Sequence, residues 1–211
     1  EEWLANHPHS EEDMRLYLPC AIQAVRQGVE RAHLISRHLD GGLLQELFTH
    51  NGIGSMITRD PLAQMRQATI EDVGGILCML EPLEKSGVLV KRSRERLEME
   101  ISQFHVLTHD NMMVGCVAMY AYPDYKMGEL ACLVVHPDYR RHHYGERLLT
   151  FIEQHACEQG FTHIFALTTQ TAHWFIEKGF HLADIAALPS SKQVFYNHQR
   201  KSQVFIKALK H

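Results

Sequence analysis

From Leu130 to Val135 the chain reads L-A-C-L-V-V, apolar without a break, and ten residues later it is already turning as a helix. A run this apolar, with Glu129 at its start and His136-Pro137-Asp138 at its end, fits a strand buried on both faces of a sheet. Leu148, Leu149, Ile152 and Ala156 then recur on one face of a helix predicted over about residues 145–159, which Gly160 closes. Strand, polar turn and helix follow with no spare linker. Such a sheet needs helices over it, and the rest of the chain supplies them.

Upstream, Gln64 to Ala68 is predicted as a strand, and Thr69 with Asp72 three residues on starts a helix that Pro82 and Gly87 end. A charged helix is predicted over about Ser93 to Ser102. Phe104–Thr108 and Met112–Tyr120 read as a hairpin around His109-Asp110-Asn111. Downstream come a strand at Ile164–Leu167, a helix at Thr171–Lys178 closed by Gly179-Phe180, and a last strand at Gln203–Leu209. This order predicts an α/β fold, with a mixed sheet flanked by helices. The first sixty residues form a smaller piece. Ser10 caps a helix with Met14, Leu18, Ile22, Val25 and Val29 on one face; a strand at Ala32–Ile35, a helix from Leu43 to Phe48 and a glycine turn at Asn51-Gly52 leading into a strand follow. That piece is too small to bury its own faces well, and Arg59-Asp60-Pro61 marks the boundary between residues 1–60 and 61–211.

Composition narrows the function classes. The 211 residues are 45% apolar and 22% charged, the balance of an ordinary globular chain. A net charge of −4 offers no basic field for nucleic acid or an anionic membrane, and no apolar run approaches the length of a membrane span. Glu1-Glu2 is not a secretory opening, and the five scattered cysteines suit a reducing cytoplasm better than a disulfide framework. Among the sixteen histidines only His142-His143 are adjacent, and there is no H-E-x-x-H, so no metal site is predicted.

The chemistry is predicted at the turn after Val135. A helix start leaves backbone N–H groups free at the positive end of the helix dipole, a ready site for phosphate oxygens, and Arg140 and Arg141 add charge beside it. A solvated turn with a salt-bridged cap fits these features as well. In its strand–turn–helix setting, however, Arg140-Arg141-His142-His143-Tyr144-Gly145 resembles the coenzyme-binding motif of the GNAT acetyltransferases, usually Arg/Gln-x-x-Gly-x-Gly/Ala. His143 stands where the first glycine is expected. The segments L-V-K-R-S-R-E-R-L-E (89–98), E-L-A-C-L-V-V-H-P-D-Y-R (129–140), L-T-T-Q-T-A-H-W-F-I-E-K-G-F (167–180) and Y-N-H-Q-R-K-S-Q-V-F-I-K (196–207) are similar to the acetyltransferase domain of bacterial N-acetylglutamate synthases. H-L-I-S…D-G-G-L-L-Q-E-L-F-T…G-I-G-S-M-I is similar to the end of that family's amino acid kinase-like domain.

The resemblance implies a GNAT fold over 61–211, preceded by a remnant of the kinase-like domain at 1–60. It implies transfer of acetyl from acetyl-CoA, as co-substrate, to the α-amino group of L-glutamate by direct attack, the first step of arginine biosynthesis. It places the coenzyme pyrophosphate on Arg140, Arg141, His142, His143, Tyr144 and Gly145, and pantetheine on the backbone of Val134 and Val135. Glu129 becomes the general base, acting through water, and an N–H near Leu133 or Val134 the oxyanion donor. By motif position Arg92 and Arg200, with Lys201 as the register alternative, clamp the two carboxylates, whose geometry a planar guanidinium matches. Cys132, Thr168 and then Thr169 complete the substrate side. Cys132 reads as wall rather than nucleophile, since alternation in a regular strand turns it away from Glu129. The family's usual acid for the leaving thiolate, a tyrosine four residues before Gly-Phe, is Phe175 here, which leaves Tyr144, Thr168, water or plain solvation. His33, Glu46 and Gly52 match positions tied to arginine as feedback inhibitor. A homo-oligomer without metal is the expected assembly. A GNAT enzyme for another amine and a non-catalytic acetyl-CoA-binding module are the rival readings.

Overall fold

The computed structural model describes residues 12–49, 52–59, 62–194, 196–197, 200 and 202–210, and the chain divides into two compact units between Leu62 and Ala63. The predicted cap Ser10 lies outside the described residues.

In the smaller unit, α1 (Glu12–Arg26) precedes β1 (Arg31–Leu34), α2 (Gly42–Phe48) and β2 (Ser55–Thr58). The two strands pair antiparallel, Arg31 opposite Thr58 and Leu34 opposite Ser55. Ala21 and Val25 are the apolar side chains of α1 that become buried. Val29 lies past the end of the helix and is exposed, so the apolar face is shorter than its spacing predicts. On α2, Leu43, Leu44, Leu47 and Phe48 are 62–81% exposed. The expectation that this piece buries little by itself holds within these residues.

The larger unit opens with β3 (Ala63–Gln67), then α3 (Val73–Lys85), α4 (Arg94–Met99), β4 (Phe104–His109), β5 (Met112–Tyr122), β6 (Met127–Val135), α5 (Tyr144–Glu158), β7 (His163–Thr168), α6 (Ala172–Glu177), β8 (His181–Ala183), α7 (Ser190–Val194) and β9 (Gln203–Ala208). Its seven strands lie in the order β3-β4-β5-β6-β7-β9-β8. β6 and β7 are the parallel pair, joined by α5 as crossover; the other neighbours run antiparallel. The apolar face of α5, Leu148, Leu149, Ile152 and Ala156, packs on Leu107, Val117, Leu130 and Ile164. Val73, Ile76 and Leu80 of α3 pack on Phe104, Val106 and Cys116 across the sheet. Both faces of the central strands are therefore covered, as the run at 130–135 requires.

Local chemistry sets the element ends. Asp72 Oδ2 accepts from the Thr69 N–H at 2.8 Å, and the Arg66 guanidinium forks onto both Asp72 oxygens at 2.6 and 2.9 Å. The predicted cap is thus real, and the α-helix proper begins at Val73 after one tight turn. Asp110 and Asn111 take φ of +49° and +63°, the conformation a two-residue hairpin turn needs. Two short elements, β8 and α7, have no counterpart in the sequence reading.

Candidate active site

The central sheet opens where the sequence is most apolar. β6 pairs with β7 from Met127 opposite His163 to Leu130 opposite Ala166, and there the pairing stops. On its other edge β6 continues along β5 as far as Val135 opposite Gly115. The His136 N–H still turns back to Val114 O, so by alternation the Val135 amide faces the opening. The β5–β6 pairing slips between Cys116 and Ala118, so that Cys132 and Leu133 together oppose Val117. Cys132 adopts φ +52° at that point. This is a β-bulge, which bends a strand and re-aims its side chains. Leu130 packs under α5, whereas Cys132 packs with Cys116 under α3. Glu129 is directly opposite Tyr120, which packs in the cluster of Cys132. The two residues therefore share a face, and the regular alternation expected from the sequence is corrected by the bulge.

The opening is a cleft of about 590 Å³. Arg140, His143, Gly145 and Glu146 line it at the start of α5, and Val134, Val135 and Leu133 line it along β6. His143 takes φ +56°, the left-handed conformation that a glycine would supply. Its side chain is 78% exposed and lies 3.5 Å from Glu146 at the edge of the cleft. Lys178 Nζ sits 2.6 Å from Glu146 and, as the main cause, holds that carboxyl below its usual range. Two of the expected coenzyme contacts fall elsewhere. The Tyr144 ring is buried in the core, its hydroxyl 2.5 Å from His109 Nδ1, and the His142 ring stacks on it. Neither side chain lines the cleft; the Tyr144 ring is drawn into the core, while His142 stays exposed on top of it. Tyr144 has only its main-chain groups left for an anion. The Arg141 side chain lies outside the described residues.

Beside the cleft the two expected arginines tie to one segment, 88–90, although neither side chain lines the cleft itself. Arg200 Nη2 donates to Val88 O at 2.6 Å, and Arg92 Nη1 donates to Val90 O at 3.3 Å. Val88 and Leu89 are cleft wall. Arg92 also bonds Tyr120, whose hydroxyl donates to Glu100 at 2.6 Å, while its buried Nε has no partner among the described residues. A buried guanidinium N–H without an acceptor is costly unless a ligand satisfies it. Lys201 lies outside the described residues. Cys132 forms wall between these groups; burial, chiefly, pushes its thiol up to about 11, so it is neutral near pH 7 and a poor nucleophile. Thr168 lines the cleft, but its Oγ1 accepts from the Gln170 and Thr171 amides and meets Thr171 Oγ1 at 2.8 Å. Its hydroxyl anchors the turn into α6. Phe175 is cleft wall and packs on Phe180 and Phe205.

Glu129, the expected general base, is not among the side chains that line the cleft. It is buried, with Lys192 Nζ of α7 at 2.6 Å from Oε1 and the Tyr122 hydroxyl donating to Oε2 at 3.2 Å. Leu130 and Ala131, next along the strand, do line the cleft. Lys192 carries no signal in the sequence, since 63 positions separate it from Glu129. Among the described residues no group of three or more His, Cys, Asp or Glu side chains forms a metal cage.

In the smaller unit, His33, Glu46 and Gly52 do come together. His33 Nδ1 lies 2.6 Å from Glu46 Oε1, and Oε2 accepts from the Ile53 and Gly54 amides, each at 2.7 Å. His33 first, then the two amides, hold the Glu46 carboxyl down at about 2. Gly52 has φ +55°, and a Cβ there would stand 2.6 Å from Glu46 Oε2.

Residues 76–181 match the Acetyltransferase (GNAT) family. The amino-acid acetyltransferases of Escherichia coli K12 and Serratia proteamaculans are 50% and 48% identical over 190 residues, which is 90% of this chain and 43% of theirs. The chain thus spans less than half the length of the curated relatives it matches. N-acetylglutamate synthase from Neisseria gonorrhoeae, solved with coenzyme A and L-arginine, is 37% identical, with a TM-score of 0.86 over the whole of this chain and 48% of that one. The same enzyme solved with coenzyme A and N-acetyl-glutamate gives 38% and 0.69. With its sheet parted at Leu130, a helix start at the mouth of the cleft and a family match through the segment that builds both, the chain belongs to the GNAT acetyltransferase family.

Proposed function

We propose that this chain is the acetyltransferase part of an N-acetylglutamate synthase, with residues 1–60 as the end of a kinase-like domain. It moves acetyl from acetyl-CoA to the α-amino group of L-glutamate. The observation that carries this reading is the pair of guanidiniums anchored on Val88 O and Val90 O beside a cleft whose far end is a helix start. One end suits a pyrophosphate, the other a dicarboxylate.

Acetyl-CoA supplies the acyl group as a thioester. The open edge of β6 at Val134 and Val135 and the amides from Arg140 to Gly145 would hold it, with Arg140 adding charge. Arg92 and Arg200 bind and orient the acceptor's two carboxylates, and the free Nε of Arg92 is one of the donors waiting for them. Near pH 7 the acceptor amine is an ammonium and must lose a proton. Glu129, next along the strand from the cleft-lining Leu130 and Ala131, takes it through a water. The amides beside the bulge at Cys132 donate to the developing oxyanion. Tyr144 and Thr168 are poor candidates for the acid, since their hydroxyls are engaged away from the cleft or at the α6 turn. The thiolate of a coenzyme leaves into solvent.

Arginine regulation fits the cluster of His33, Glu46 and Gly52. The Glu46 carboxylate already accepts from an imidazole and two amides, and a guanidinium would take the place of His33. Coenzyme release measured with L-glutamate against polyamines and lysine peptides tests the assignment. Preference for glutamate supports it; equal or faster turnover with the other amines overturns it.

A further inference from the structure

We infer that Lys192 is a positioning residue for the reaction, holding the Glu129 carboxylate in the one orientation from which it can take the acceptor's proton. The inference rests on the reading of Glu129 as base, and nothing in the GNAT motifs points to Lys192.

The argument begins with burial. Glu129 is 6% exposed, and a carboxylate that deep stays charged only if neighbours replace its lost water. Each of its oxygens has one protein donor, Lys192 Nζ on Oε1 and the Tyr122 hydroxyl on Oε2. The other groups around it are Tyr120 directly opposite on β5, Cys132 on its own strand and Phe165 beside it on β7. The two tyrosine hydroxyls and the thiol are all pushed upward, with burial first among the causes, and are neutral near pH 7. Lys192 is therefore the cation in contact with the base among the described residues. Its side chain is 24% exposed and comes from a five-residue helix on a different part of the chain. A short helix that delivers one ammonium to one buried carboxylate fixes both its charge and its direction. Each oxygen keeps a lone pair for the water that relays the proton.

The test is the pH dependence of kcat and kcat/KM for Lys192→Met, Lys192→Arg and Glu129→Gln, with acetyl-CoA affinity measured by calorimetry. Removing the cation disfavours the ionised carboxylate, so in Lys192→Met the acid limb of kcat/KM moves to higher pH by about one unit or more. In the same variant kcat near pH 7 falls about tenfold or more. Lys192→Arg restores both, and the coenzyme affinity of every variant stays within about twofold of the parent. A merely structural lysine would lower thermal stability and leave the acid limb in place, and that result overturns the inference. If the Met variant does not fold, Lys192→Gln gives the same two outcomes. Loss of turnover in Glu129→Gln together with an unmoved limb in Lys192→Met removes Lys192 alone. Full turnover in Glu129→Gln removes Glu129 as base and the role of Lys192 with it.

Discussion

His143 holds a backbone conformation that glycine reaches freely and other residues reach at a cost of about 1–2 kcal/mol. Its contact with Glu146 is exposed and worth little in return. His143→Gly should therefore raise the melting temperature by about 2–4 °C and leave acetyl-CoA binding equal or tighter, read by thermal unfolding and calorimetry. A weaker coenzyme affinity would mean that the imidazole itself binds. The arginines make the opposite kind of prediction. Arg92→Ala and Arg200→Ala each remove charge-assisted bonds worth about 1.5–3 kcal/mol. KM for glutamate should rise by about ten- to a hundredfold with coenzyme affinity intact; loss of coenzyme binding in both would misplace the clamp. Cys132→Ala should keep turnover within a few fold, because the thiol at about 11 is not a thiolate at neutral pH. Much of this was legible as residue identity and motif position. What could not be read was which side chains the core would claim. Tyr144 and Thr168 have the right chemistry at the right positions, yet one is buried on His109 and the other ties down a turn.

At the scale of elements, the segment from β6 to α5 is the best predicted part of the chain. Its apolar run and helical spacing are long and unambiguous, and the described helix, Tyr144–Glu158, begins and ends within a residue of expectation. The bulge inside β6 left no mark, because Cys132 is neither glycine nor proline and only pairing with β5 forces the extra residue. β8 and α7 escape the sequence for a related reason: at three and five residues neither is long enough to repeat its period. The contact of α5 with the parted sheet depends on a position where a side chain would be crowded. A Cβ on Gly115 would lie 3.0 Å from Leu148 Cδ1 and 3.2 Å from Val134 O. Leu148 is fully buried, and the carbonyl belongs to the open strand. Gly115→Ala should destabilise the protein by about 1–3 kcal/mol, seen in denaturant midpoints, and should weaken coenzyme binding as Val134 shifts. A variant with parental stability would mean that α5 can slide on the sheet.

For the whole molecule, the two units carry their acid-sensitive groups in different places, and the signs can be worked out. His105 in the larger unit is packed against Phe151 and His155, its Nδ1 without a partner among the described residues. Burial first, then the charge of His155, lower it from 6.5 to about 4. The unfolded chain takes a proton at about 6.5 that the folded chain resists, so stability falls as pH drops from there to about 4. Asp72, held at about 2 by Arg66 first, works in a lower window. Its stabilisation is complete above the ordinary value of 3.8 and is lost as pH falls from there through 2. Glu46 in the smaller unit follows the same sign, from 4.5 down through about 2. Melting temperature against pH should therefore be level above about 6.5, decline first through His105, and fall more steeply below 4.5. His105→Phe keeps an aromatic ring against Phe151 and removes the titrating, unpaired nitrogen. It should flatten the decline between pH 6.5 and 4 without lowering the plateau, while the steep loss below 4.5 stays. A decline of unchanged slope in His105→Phe would assign the first loss of stability to another group, and a lowered plateau would mean that Nδ1 has a partner in solution.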